Sequence, residues 1–149
     1  MQTTVVQIAV DDAHAVSGLL QVPRQAGACY VMAHGAGAGM THSFMTAVAD
    51  GLWDRDIATF RYQFPYMERG SKRPDLPAMA HATVRAAVAE ANRLVPSLPL
   101  IAGGKSFGGR MTSQAQADKP LPHVRGLAFW GFPLHAALHQ FWRDRKSVV

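Results

Sequence analysis

Short apolar runs alternate with longer amphipathic ones along the chain. Residues 3–10, TTVVQIAV, are β-branched and partly alternating and end at Asp11 and Asp12, which predicts a strand near a sheet edge. Residues 16–22, VSGLLQV, predict a second strand stopped by Pro23. Residues 28–33, ACYVMA, are apolar without alternation, the pattern of a central strand covered on both faces. The glycine-rich stretch HGAGAGM follows, and then a helical pattern over 43–54. IATFRY at 57–62 predicts a fourth strand, which leads into a loop rich in proline and charge over 64–77. Residues 77–95 give the clearest helix, with Met79, Val84, Val88, Ala91 and Val95 near helical spacing and Pro96 just past the end. LPLIAG predicts a fifth strand, RMTSQAQA a helix, and VRGLAFWGF at 124–132 a sixth strand. Strands that alternate with helices imply an α/β fold, a three-layer α/β/α sandwich around a mostly parallel sheet of about six strands.

Composition narrows the function classes more than the fold. A chain of 149 residues is one domain by size, and 48% hydrophobic with 17% charged residues excludes a disordered chain. The net charge of +5 raises a nucleic-acid partner, but Arg24, Arg55, Arg61, Arg69, Lys72, Arg73, Arg85 and Arg93 are scattered. No RNA-binding signature or zinc-ligand spacing accompanies them, so the expectation is a solvated basic surface with no nucleic acid, metal or cofactor bound. Cys29 is the one cysteine and cannot form an internal disulfide. The segment MQTTVVQIAVDD has no basic leader or cleavage site, and no stretch reaches transmembrane length. A cytoplasmic protein without a membrane partner is therefore expected.

The chemistry concentrates in PLIAGGKSFGGR at 99–110. A phosphate-binding P-loop ending in Gly104-Lys105-Ser106 would need glycine where Pro99 stands, and a wrapping loop where the strand LIAG stands. The G-x-S-x-G template of a nucleophile elbow fits instead. Gly104 and Gly108 flank Ser106 at two residues, Gly109 adds further room, a buried strand precedes and a helix follows. Acyl transfer also needs two donors for the developing oxyanion. The amide of Phe107 supplies one, and the loop HGAGAG at 34–39, after the third predicted strand, supplies the other. Ala36, the first residue after His34-Gly35, is the preferred second donor, with Gly37 next. A dinucleotide-binding reading of this loop fails, because its frame would need glycine at Met40 and a place after the first strand.

The blocks HGAGAGM, RYQFPYM, RPD, GGKSFGGRM and GLAFWGFPLH, in this order and spacing, resemble the α/β-hydrolase superfamily. More narrowly they resemble small bacterial hydrolases related to dienelactone hydrolase, and the hydrolase-like domain of testis-expressed and non-specific-lethal-complex proteins. The resemblance covers most of the chain to about residue 135. It implies a serine hydrolase acting on an ester or similar acyl bond of a small-molecule substrate. Ser106 would be the nucleophile in place of the cysteine of dienelactone hydrolase. His34 would shape the oxyanion loop, and Arg61, Phe64 and Tyr66 would border the substrate pocket. A non-catalytic hydrolase-like binding module is the alternative; a nucleic-acid binder has only net charge behind it.

The resemblance also exposes a gap. In hydrolases of this fold the acid and histidine of the triad follow the serine on loops after the seventh and eighth strands, and this chain predicts only one strand after Ser106. Asp118, His123, His139 and Asp144 also follow the serine, but His135, just past the sixth strand, is the local substitute base to name. His42 and His81 read as surface or helix-face histidines. The last six residues, DRKSVV, are what GAT-CGG-AAG-AGC-GTC-GTG, the opening of a common sequencing adapter, would encode; a short basic tail is the alternative. The expectation is therefore a partial α/β-hydrolase domain over 1–143, lacking the last two strands, with a non-native tail over 144–149. An uncovered sixth strand would favour self-association.

Overall fold

The computed structural model describes residues 1–134. Six strands form one sheet in the order β1-β2-β4-β3-β5-β6. β1 (Thr4–Ala9), β2 (Ala15–Gln21), β3 (Ala28–Ala33), β4 (Ile57–Tyr62), β5 (Leu100–Lys105) and β6 (Val124–Trp130) alternate, after the first hairpin, with α1 (Ser43–Trp53), α2 (Pro65–Glu68), α3 (Pro77–Leu94) and α4 (Phe107–Asp118). β1 runs antiparallel to β2, and β2 antiparallel to β4. The remaining pairs, β4-β3, β3-β5 and β5-β6, are parallel.

Both faces of the central strands are covered, which is why β3 and β5 read as unbroken apolar runs. Cys29, Val31 and Ala33 of β3 join Leu100 and Ala102 of β5 in the core beneath α3 and α4. Tyr30 and Met32 point the other way, onto Met45, Val48 and Leu52 of α1, together with Ile101. The result is the expected three-layer α/β/α sandwich.

Three elements differ from expectation. The loop at 64–77 contains α2, which starts with Pro65 at its first turn, where a missing N–H costs nothing. In α3 the buried stripe is Ala80, Thr83, Val84, Ala87, Val88 and Ala91, so Ala80 and not Met79 faces the sheet. Alanines there let the helix axis approach the sheet closely, whereas the longer Met79 sits half-buried at the border. β5 continues through both glycines to Lys105, and α4 starts immediately at Phe107. Within β5 no side chain is tolerated at Gly103, where a Cβ would fall on the Ala128 carbonyl of β6.

β6 pairs only with β5 among the described strands, and Leu127, Phe129 and Trp130 are 36–40% exposed. No helix among the described residues is long and apolar enough to cross a membrane.

Candidate active site

The β3-β5 pair sets the site. β3 leads through α1 to β4 on one side, whereas β5 lies on the other, so the strand order reverses between them. Crevices at such a reversal, outside the carboxyl ends of parallel strands, are where open α/β sheets take ligands. The register places Ala33 opposite Gly104, so the loop that leaves β3 at His34 starts beside the turn that leaves β5 at Lys105.

Ser106 occupies that turn with φ 49° and ψ −112°, a left-handed conformation that non-glycine residues avoid. Its backbone N–H donates to the Trp130 carbonyl of β6 (2.9 Å), and its carbonyl accepts the N–H of Arg110 (3.0 Å). The turn is thus fixed from both sides. Although Ser106 stands at the N-cap of α4, its side chain makes no capping bond, and no described residue hydrogen-bonds its hydroxyl. The flanking glycines are steric necessities. A Cβ on Gly104 would strike the Ala33 carbonyl, and one on Gly108 would strike the His34 carbonyl. On Gly109 it would lie 2.9 Å from the Gly104 carbonyl oxygen.

Facing the serine is a cavity of about 310 Å³, lined by Gly35, Ala36, Gly37, Ala38, His42, Met45, Lys105 and Ser106. The first amides of α4, beginning with Phe107, have no intrahelical acceptor and point out of the helix start, a position that favours negative charge. The amides of Ala36 and Gly37 likewise donate to no described residue. The structure therefore brings Gly35, Ala36, Gly37 and Ser106 to one cavity, with Phe107 next to Ser106 at the start of α4.

Arg61, Phe64 and Tyr66 are placed differently from expectation. They do not line the cavity; each is at most 4% exposed and lies beneath the glycine loop. The Arg61 guanidinium donates to the Met40 carbonyl (3.0 Å) and to Gln21 Oε1 (3.2 Å). Gln63 Oε1 accepts the Met40 N–H (2.9 Å). The Phe64 N–H donates to His34 Nε2 (3.0 Å), and the Tyr66 hydroxyl donates to the Ala36 carbonyl (2.8 Å). The block RYQFPY thus clamps the loop at both ends. Asp75, from the RPD block, accepts the Tyr66 N–H (3.0 Å) and supplies the cap that Phe64 cannot give α2.

His34 is fully buried and its tautomer follows from its partners. The Phe64 amide can only donate, so Nε2 is the bare nitrogen and Nδ1 carries the proton that goes to the Gly35 carbonyl (2.7 Å). Burial holds the His34 pKa below its ordinary value, against the opposing pull of the Gly35 carbonyl and of Asp75. Burial also pushes the Tyr66 hydroxyl up to about 12, which keeps it a donor. The same effect raises the Cys29 thiol to about 12, and so this buried cysteine is no rival nucleophile.

Two residues at the cavity have no role in the sequence reading. His42 is exposed, as expected, but it also caps α1 through Nδ1, which accepts the Phe44 N–H (3.2 Å), and it lines the cavity. Its place directly between the glycine loop and a helical run is the signal that marks it. The Lys105 ammonium rests 4.3 Å from the centre of the Phe44 ring and is the charged side chain in the lining. His81 bonds Gln114 across α3 and α4 (2.9 Å), away from the site. His123 lies at the opposite end of the sheet, beside Arg85 and Lys119. His135 falls outside the described residues, as do His139 and Asp144. Among the described residues no three His, Cys, Asp or Glu side chains converge as metal ligands would.

Residues 26–145 match the sequence model of the alpha/beta hydrolase domain family, and the chain belongs to that family. No curated protein matches it. Among solved structures it resembles dienelactone hydrolase from Anabaena variabilis, with a TM-score of 0.73 at 20% identity over 86% of this chain and 62% of that one. An alpha-beta serine hydrolase homologue from Coxiella burnetii gives 0.72 at 16% identity, over 91% and 65%. An a/b serine hydrolase without lid from Xanthomonas campestris gives 0.69 at 16%, over 90% and 66%. At these identities the likeness is one of fold. The chain spans less than two thirds of the length of each.

Proposed function

We propose that the chain carries the nucleophile and oxyanion half of a serine hydrolase that cleaves an ester or similar acyl bond of a small molecule. The observation that carries this is the left-handed Ser106, its hydroxyl bonded to no described residue and facing a cavity rimmed by amides that donate to none. Strain of this kind costs on the order of 1–3 kcal/mol and persists only where the surroundings enforce it. Here β6, the glycines and α4 enforce it.

In the proposed reaction Ser106 Oγ attacks the acyl carbon and loses its proton to a general base. The carbonyl oxygen becomes an oxyanion held by the N–H groups of Phe107 and Ala36, with Gly37 adjacent. Collapse expels the leaving group, which takes the proton, and water then hydrolyses the acyl-serine. No described residue hydrogen-bonds the Ser106 hydroxyl, and in hydrolases of this fold the base and its orienting acid follow the serine in sequence, so we assign both to sequence beyond the described residues. Without them, catalysis falls to what binding and oxyanion contacts provide.

Labelling with a fluorophosphonate tests the proposal, on this chain and on one continued with its native downstream coding sequence. Labelling of the longer chain that disappears in Ser106→Ala is expected. No labelling of either chain would leave a hydrolase-like binding module as the better description.

A further inference from the structure

The glycine loop carries a second layer of design beneath it. A trans peptide holds its C=O and N–H on opposite sides, so fixing a carbonyl's direction fixes that of the following amide. Two consecutive carbonyls of the loop are each taken by a different buried donor. His34 Nδ1–H takes Gly35 (2.7 Å), and the Tyr66 hydroxyl takes Ala36 (2.8 Å). The Tyr66 hydroxyl also lies 3.4 Å from the Gly35 carbonyl, but its single proton serves the nearer Ala36. Both donors are fully buried, so both carbonyls point into the core. The amides of Ala36 and Gly37 must then point away from the core, where Gly35, Ala36, Gly37 and Ser106 line the cavity.

We propose that His34 and Tyr66 are positioning residues which aim the oxyanion-binding amides, one peptide plane each: His34 the N–H of Ala36, and Tyr66 the N–H of Gly37. Tyr66 also reaches the other donor. Its ring meets the Phe107 ring edge-on at 6.1 Å, and Phe64 meets the same ring at 5.3 Å. Phe107 is the first residue of α4, so the aromatic cluster beneath the loop holds the helix start whose amide faces the same oxygen. Neither His34 nor Tyr66 lines the cavity, and neither touches substrate.

The functional part of this inference rests on the hydrolase reading; the structural part does not, and the test separates them. Tyr66→Phe removes the hydroxyl and keeps the ring. Thr83→Val removes another buried hydroxyl, one that serves only its own helix, and is the control. In ¹H–¹⁵N spectra of the full chain, Tyr66→Phe is expected to shift and broaden the Gly37 amide strongly and the Ala36 amide less, whereas Thr83→Val leaves both in place. Losing an oxyanion donor outright costs about 10²–10³-fold, so a donor set free to turn should slow fluorophosphonate labelling by about 10–100-fold. A Gly37 amide unmoved by Tyr66→Phe overturns the inference, and so does labelling at the wild-type rate. If neither the wild-type chain nor the one continued with its native downstream coding sequence labels, the hydrolase reading fails and the amide shifts alone decide. If Tyr66→Phe does not fold, ¹⁵N relaxation of the wild type decides. Order parameters for Ala36 and Gly37 near those of rigid backbone, about 0.85, support the pinned planes, and values below about 0.6 overturn them.

Discussion

Gly51→Ala and Gly108→Ala make the same chemical change inside two helices and should act in opposite directions. Helix propensity favours alanine over glycine by about 1 kcal/mol, partly by restricting the unfolded chain. At Gly51, in the last turn of α1, a new Cβ finds only the flexible end of Arg55 at 3.9 Å. Nothing opposes the gain there, and a stabilisation of about 0.5–1 kcal/mol is expected. At Gly108 the nearest atoms are the His34 carbonyl oxygen and the Cβ and carbonyl carbon of Ala33, all far inside van der Waals contact. Two of the three are backbone, and the His34 carbonyl begins the glycine loop, so no rotamer change relieves the clash. Overpacking costs about 1–3 kcal/mol, and rigid neighbours put this site at the upper end. Offset by about 1 kcal/mol of propensity, the net loss is about 2 kcal/mol, or a fall in Tm of about 4–8 °C for a chain of this size. Urea unfolding followed by tryptophan fluorescence measures both variants. The clash also wedges α4 from the loop, so Gly108→Ala should slow fluorophosphonate labelling while Gly51→Ala does not. Gly108→Ala as stable as Gly51→Ala would refute the claim that the α4 glycines exist for close approach.

Ser106→Gly should stabilise the fold by about 1–2 kcal/mol, since glycine accepts the left-handed backbone without strain, while abolishing labelling; an unchanged Tm would deny the strain. His34 gives a pH signature. Its folded pKa is depressed, so its contribution is complete above the unfolded value of 6.5 and is lost as pH falls through the folded one. Stability should therefore decline below about pH 6.5 at up to about 1.4 kcal/mol per unit, and His34→Gln should flatten that slope in urea titrations. Asp11, whose pKa is lowered below 3.8 by its bond to His14, acts only at more acidic pH. At the sheet edge, sedimentation velocity should find species larger than a monomer that Leu127→Lys disperses; a monomeric wild type would count against pairing through β6.

The parts of this fold that were legible in the sequence are those whose signal is local. ACYVMA reads as a strand covered on both faces and IATFRY as a strand, and the structure returns both runs with the same bounds. G-x-S-x-G is legible for a different reason: the turn tolerates so few side chains that its geometry is written as glycines. The block RYQFPY shows where such reading stops. A basic and aromatic cluster beside a glycine loop has the composition of a pocket wall, and nothing local says that it faces inward. Its direction is set by β4 lying between β2 and β3, which turns Arg61 onto Gln21 of β2 and the Met40 carbonyl. It is set also by α2, a four-residue helix too short to show periodicity, which Asp75 caps from outside its own sequence window. Lys105 and His42 escaped for the converse reason. Each belongs to an element legible in its own right, β5 and the start of α1, yet their meeting at one cavity depends on the β3-β5 register. A single sequence exposes residues that the backbone requires more readily than residues that hold the backbone from a distance. In this chain the second group, His34 with Tyr66, gives the first its direction.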